Sequence, residues 1–151
     1  MTQLARTTGD LDRRRPVPDL SLQWEEVVVP GSDPAPWMSD ALRAVNAFEE
    51  LGPGWDGGDG PVPSTEVLQL ARRIVVETAQ VQIGQAPHIG PVPGGGVQIE
   101  WHLCGRDLEL EILPDLSLGL LAIDGERVFA QEVSIVERVP KARALVEWLT
   151  R

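Results

Sequence analysis

The chain has 151 residues, of which 42% are hydrophobic and 24% charged, a length and composition typical of one globular domain. Its formal net charge of −10 argues against direct binding to nucleic acids or anionic membranes. The single cysteine excludes an intramolecular disulfide, no apolar run approaches the roughly 20 residues of a membrane span, and residues 1–16 lack the apolar core of a secretory signal. We therefore expect a cytoplasmic protein.

The chain is predicted to begin with a flexible arm. Residues 1–20 are polar and contain an arginine triplet at positions 13–15, a composition that cannot bury enough apolar surface to order itself. Residues 21–151 are then predicted to form a single α+β domain. Its first element would be a strand at residues 20–29, because this segment contains three consecutive valines.

In chain order, two helices are predicted before a central group of strands and one helix after it. Ser39 is placed to cap a helix whose apolar residues recur at helical spacing as far as Leu51. A loop rich in glycine and proline follows, and Ser64 then caps a second helix with a broad apolar stripe. Pro140 suits the first turn of a short closing helix.

Residues 94–113 predict a hairpin, since apolar and polar side chains alternate along two segments. With Gly105 and Arg106 as a two-residue type II′ turn, all the apolar side chains lie on one face. A proline- and glycine-rich connector at residues 87–96 precedes this hairpin.

Two further strands are predicted at residues 116–123 and 127–133, joined by a turn at Asp124 and Gly125. The first is apolar on both faces, which leaves open whether it is covered on both sides or carries a bulge. Strands segregated from helices indicate an α+β fold: an antiparallel meander of about four strands with two to three helices packed on one face.

The predicted register places charged side chains opposite one another on the second face of the hairpin. Glu100 would face Glu111, and His102 would face Glu109. Two carboxylates across a strand pair repel each other, so we expect a partner, a cation, a basic segment such as the arginine triplet, or solvent to compensate.

Two stretches carry a resemblance to a known pattern. The loop Gly-Trp-Asp-Gly at residues 54–57, followed by Pro61, Pro63 and Ser64, and the strand Gly-Gly-Val-Gln-Ile-Glu-Trp at residues 95–101 resemble uncharacterised small bacterial proteins. These proteins share the loop, a Pro-Ser-capped second helix and a Gly-Gly-Val-Gln-Leu-Glu-Trp strand. The resemblance covers roughly residues 40–124, with Ile99 in the place of leucine, and it implies no activity.

The loop residues Trp55 and Asp56 have two interpretations. They could contact a partner, or Trp55 could fold onto the core while Asp56 accepts hydrogen bonds from backbone N–H groups of the turn. The second is the more frequent role of such residues beside a core.

The acidic group of Glu100, His102, Glu109 and Glu111 has three interpretations: a protein-binding face, a solvated face, or a cation or acid–base site. An open sheet face offers no enclosed cavity, and the sequence contains no tyrosine and two histidines, so acid–base groups are few. We predict no catalytic residues, no metal and no cofactor.

The sequence thus favours a non-enzymatic interaction protein that binds a more basic protein through Glu100, His102, Glu109 and Glu111, with Trp55 and Asp56 in the loop. An antitoxin, immunity protein, inhibitor or accessory subunit has this character. Two alternatives stay open: a metal-dependent enzyme or module that uses the acidic face, and a self-assembling homo-oligomer in which an exposed sheet edge pairs with its symmetry mate.

Overall fold

A computed structural model describes residues 33–134 and 136–151. The predicted arm at residues 1–20, its arginine triplet and the predicted strand at residues 20–29 lie outside the described residues. The elements are α1 (Met38–Ala47), a 3-10 turn (Phe48–Glu50), α2 (Thr65–Thr78), β1 (His88–Val92), β2 (Gly96–Leu103), β3 (Arg106–Ile112), β4 (Leu118–Asp124), β5 (Arg127–Val133) and α3 (Arg138–Leu149).

The five strands form one antiparallel sheet in chain order. The α+β prediction is confirmed, with five strands instead of about four. The additional strand is β1, which lies in the segment predicted as a connector. The sequence does not indicate a strand there because the segment contains Gly90 and Pro91. Proline is tolerated at the edge of a sheet, where its missing N–H leaves no internal ladder bond unmade.

Apolar side chains of the middle strands are buried against the helices. Trp101, Leu108 and Leu110 are at most 1% exposed. Helix α2 contacts β2 and β3, and α3 contacts β3. Trp101 lies edge-on to Trp37, with ring centroids 6.3 Å apart, a favourable aromatic geometry. We call the face of the sheet that packs against the helices the inner face, and the opposite face the outer face.

The two predicted helix caps had different outcomes. Ser64 is the N-cap of α2, and its hydroxyl accepts a hydrogen bond from the Val67 N–H at 3.2 Å, as predicted. The cap at Ser39 is wrong, because α1 begins at Met38 with Trp37 in the cap position. Trp37 is instead fixed by its indole N–H, which donates to the Ile83 carbonyl at 2.9 Å.

The predicted hairpin turn is displaced by one residue. The two-residue loop is Cys104-Gly105, with φ of 54° and 76°, so both central positions are left-handed as in a type I′ turn. Each β2 residue therefore pairs with a β3 residue that is two positions closer to the turn than predicted. Trp101, for example, faces Leu108 and not Leu110. A shift of two keeps every side chain on its predicted face.

β4 carries no bulge, because all seven of its residues pair in register with β5. Its inner residues Leu118, Leu120 and Ala122 are buried, and its outer residues are half-buried. No helix among the described residues is both long and apolar enough to cross a membrane.

Candidate functional site

The outer face of the sheet is strongly acidic. Side chains alternate along a strand, so the residues paired with the outward-facing positions of β2 also face outward. The carboxylates of this face are Glu100 on β2, Asp107, Glu109 and Glu111 on β3, and Glu132 on β5. None of the outward-facing strand positions in the described chain is lysine or arginine. The only groups there that can become cationic are His88 and His102.

Glu100 faces Glu109 across β2 and β3, and not Glu111 as predicted. The repulsion expected between two facing carboxylates is therefore present, but between a different pair. His102 likewise faces Asp107 and not Glu109. Glu111 is paired instead with Gln98, a neutral side chain.

A line of alternating imidazoles and carboxylates surrounds Glu100, one of the two facing carboxylates. His88 Nδ1 lies 3.0 Å from Glu100 Oε1, and His102 Nε2 lies 4.0 Å from the same oxygen. His102 Nδ1 lies 2.6 Å from Asp107 Oδ1. The Gln98 amide donates to the other Glu100 oxygen at 3.4 Å.

The protonation of His102 is biased by this line. The hydrogen bond with Asp107 raises the pKa of His102 above its ordinary value of 6.5, and the charges of Asp107 and Glu100 act in the same direction. The imidazolium is thus favoured. Protonation of His102 reduces the negative charge of one corner of the face.

Sequence reasoning missed His88 and Asp107 as members of this group. His88 lies in the segment predicted as a connector, and β1 brings it opposite Glu100. Asp107 was missed because it directly follows the predicted two-residue turn at Gly105 and Arg106, where it would not face His102. The alternation of His88 and Gly90 with Ile89 was the available signal, weakened by the two prolines that follow at Pro91 and Pro93.

The second half of the outer face is apolar. Leu121 and Ile123 of β4 face Ala130 and Val128 of β5, and Val128 is 66% exposed. A shallow groove is lined by residues of both halves, among them Gly119, Leu121, Ala130, Glu109, Glu111 and Glu132. Within the described residues, neither Glu109 nor Glu111 forms an ion pair.

Trp55 and Asp56 do not join this face. The Trp55 indole N–H donates to the Pro61 carbonyl at 3.3 Å, and the Asp56 carboxylate accepts from the Gly58 N–H at 3.0 Å. The same loop packs beside the β1–β2 turn, where a Cβ on Gly95 would lie 3.4 Å from the Val62 carbonyl oxygen. The Asp56 contact is the one that the structural interpretation predicted, and the Trp55 indole is bonded to the backbone of its own loop.

A cation site was one interpretation of the acidic group. In the part of the chain that the structure describes, no three His, Cys, Asp or Glu side chains are placed to hold a metal ion together. Cys104 is exposed in the hairpin turn.

Comparisons with known proteins add no assignment: no protein-family model, curated protein or solved structure matches this chain. The resemblance based on the Gly-Trp-Asp-Gly loop and the Gly-Gly-Val-Gln-Ile-Glu-Trp strand stays a prediction.

Proposed function

We propose that this protein is a non-enzymatic interaction module that binds a more basic protein partner through the outer face of its sheet. The observation that carries the proposal is the composition of that face. Among the described strands, it joins five carboxylates, with no lysine or arginine at an outward-facing strand position, to an apolar strip of Leu121, Ile123, Val128 and Ala130. An apolar centre beside a charged rim is the usual anatomy of a protein-binding surface.

Electrostatics define the character of the partner. The outer-face carboxylates and the net charge of −10 attract lysine- and arginine-rich surfaces and repel acidic ones, so association is steered and salt-sensitive. The apolar strip supplies the area whose burial gives affinity. Antitoxins, immunity proteins, inhibitors and accessory subunits that act in the cytoplasm are the classes that such a surface serves.

The test compares a charge-reversed face with a charge-reversed control. Tagged full-length protein is used to capture partners from its native host, and the eluate is identified by mass spectrometry. The variant is Glu109→Lys/Glu111→Lys, and the control is Glu50→Lys/Asp59→Lys, which changes the net charge equally at exposed positions away from the sheet. We expect one stoichiometric partner with wild type and control, lost in the face variant.

The other outcomes separate the alternatives. A partner retained equally by all three proteins would place the interface elsewhere. A stoichiometric divalent ion in protein purified without chelator, lost in Glu100→Gln, would support the metal-dependent module instead. A mass that grows with concentration in light scattering would support self-assembly.

A further inference from the structure

The two edges of the sheet differ in how they are protected. β1 contains Pro91 and is flanked by Pro87 and Pro93, and a strand with proline lacks N–H groups that a new strand could use. β5 contains no proline, and its register with β4 is continuous over Arg127–Val133. Within residues 33–134 and 136–151, no strand pairs with its other edge. Proteins commonly block such an edge with proline, bulges or charged side chains; β5 has no proline or bulge, and its charged residues, Arg127 and Glu132, lie near its two ends.

The side chains of β5 are also unusually exposed. Every residue from Arg127 to Glu132 is exposed and only Val133 is buried, although the neighbouring strand β4 alternates between buried and half-buried positions. Val128 and Phe129 are 66% and 47% exposed. An open strand edge with large apolar side chains on both faces is a template for strand addition.

We infer that the edge of β5 that no described strand pairs with accepts an extended segment of a partner protein, which adds a further strand to the sheet. This inference rests on the proposed function and specifies the form of the partner. Backbone hydrogen bonds would supply the pairing, and alternate side chains of the added strand would continue the outer face. Those side chains would lie beside Val128, Ala130 and Glu132.

Charge complementarity defines the sequence of the added strand. Apolar side chains fit beside Val128 and Ala130, and lysine or arginine fits beside Glu132, with Glu111 in the same cross-strand row. A second copy of this chain is the poorer occupant, because it would bring another net charge of −10 against the same acidic row. The expected segment therefore alternates, with one basic and two apolar residues on the outer face.

A synthetic peptide with this pattern provides the first test. The probe is fluorescein-labelled Thr-Lys-Thr-Val-Thr-Ile-Thr, which in antiparallel pairing sets lysine beside Glu132, valine beside Ala130 and isoleucine beside Val128. Binding to the full-length protein is measured by fluorescence anisotropy. Two control peptides are N-methylated, one at lysine, valine and isoleucine and the other at the second, third and fourth threonines.

N-methylation distinguishes strand addition from side-chain docking. In a β-strand, alternate N–H groups point to the same edge, so one methylated peptide loses the bonds to β5 and the other retains them. We expect one control to bind as the parent does and the other to bind at least about tenfold more weakly. Equal affinity of both controls, or no binding of the parent peptide, would overturn the inference.

Hydrogen exchange of the free full-length protein supplies an independent reading. We expect every second amide of β5 to exchange rapidly, since these N–H groups have no partner on the free edge. Protection of all β5 amides would mean that the edge is already paired, and a dimer in light scattering that disappears in Val128→Lys would mean that a second copy occupies it. Either result would overturn the inference.

The charge dependence separates this inference from the proposed function. If Glu132→Lys or a glutamate in place of the peptide lysine abolishes binding while both methylated controls still bind, the acidic face binds basic partners without strand addition. If one methylated control binds weakly and the other binds as the parent does, but the charge substitutions leave the affinity unchanged, strand addition is supported. The proposed preference for basic partners then fails. Glu50→Lys is the matched control for the change in net charge.

Discussion

His102 and Asp107 form the shortest contact between an imidazole and a carboxylate on the outer face, with Nδ1 and Oδ1 2.6 Å apart across β2 and β3. This hydrogen bond is the main reason that the pKa of His102 is raised. We expect the His102 Cε1–H signal to titrate above pH 6.5 in NMR, and Asp107→Asn to lower that pKa. Glu100→Gln should lower it less, because the charge of Glu100 is the weakest of the causes.

The His102–Asp107 pair also predicts how the free energy of unfolding changes with pH. A raised pKa in the folded state means that protonation of His102 favours folding. The contribution is fully present below the unfolded-state pKa and is lost as the pH rises through the folded-state pKa. The free energies of unfolding of wild type and Asp107→Asn, measured by chemical denaturation, should therefore converge at alkaline pH. A difference between the two that grows with pH would contradict a raised pKa of His102.

The hairpin turn offers a substitution that should stabilise the protein. Cys104 has φ of 54°, a conformation that asparagine tolerates better than cysteine and that favours Asn-Gly in type I′ turns. We expect Cys104→Asn to raise the free energy of unfolding by about 0.5 kcal/mol, and Cys104→Val to lower it by about 1 kcal/mol, because a β-branched residue is strained there. Urea denaturation measures both, and equal values for the two variants would argue against the observed turn.

Two strand glycines should respond differently to alanine. A Cβ on Gly96 would lie 2.7 Å from the Ile112 carbonyl oxygen, which is backbone and cannot move cheaply, whereas a Cβ on Gly90 would meet only His88 Cε1 at 3.8 Å. We expect Gly96→Ala to destabilise the protein by about 2 kcal/mol through strain. Gly90→Ala should be neutral or slightly stabilising, since alanine costs less chain entropy than glycine. Thermal or urea unfolding of both variants checks the contrast.

Arg138 is the one buried cationic side chain of the described core, 7% exposed, and its Nη1 donates to the Leu116 carbonyl at 2.6 Å. Leu116 itself has φ of 69°, so this bond secures a turn in a conformation unusual for leucine. Arg138→Met keeps the aliphatic length but leaves that carbonyl without its donor, and we expect a loss of about 1–3 kcal/mol.

The matched control for Arg138→Met is Arg143→Met. Arg143 lies on the same helix, is half-exposed, and forms ion pairs with Glu147 at 3.4 Å and Glu77 at 3.7 Å. Such surface pairs contribute at most about 1 kcal/mol. A larger loss for Arg143→Met than for Arg138→Met, measured by urea denaturation, would reverse our ranking of the two arginines.

The sequence by itself determined the class of fold and the face on which each hairpin side chain lies. Alternation with period two assigns Trp101 and Leu110 to the core and Glu100 and Glu109 to the outer face, whatever the register. The helix cap at Ser64 was equally local, because a serine hydroxyl and an N–H three residues later suffice to form it.

Only the tertiary structure decided which side chains face each other. A register displaced by two positions preserves the pattern of faces, so periodicity could not choose between Glu111 and Glu109 as the neighbour of Glu100. The backbone conformation at Cys104 and Gly105 made that choice. β1 is short and contains proline, so its own residues barely favour a strand, and pairing with β2 is what places His88 on Glu100. Long-range pairing, which no local pattern encodes, therefore assembled the line of imidazoles and carboxylates on the outer face.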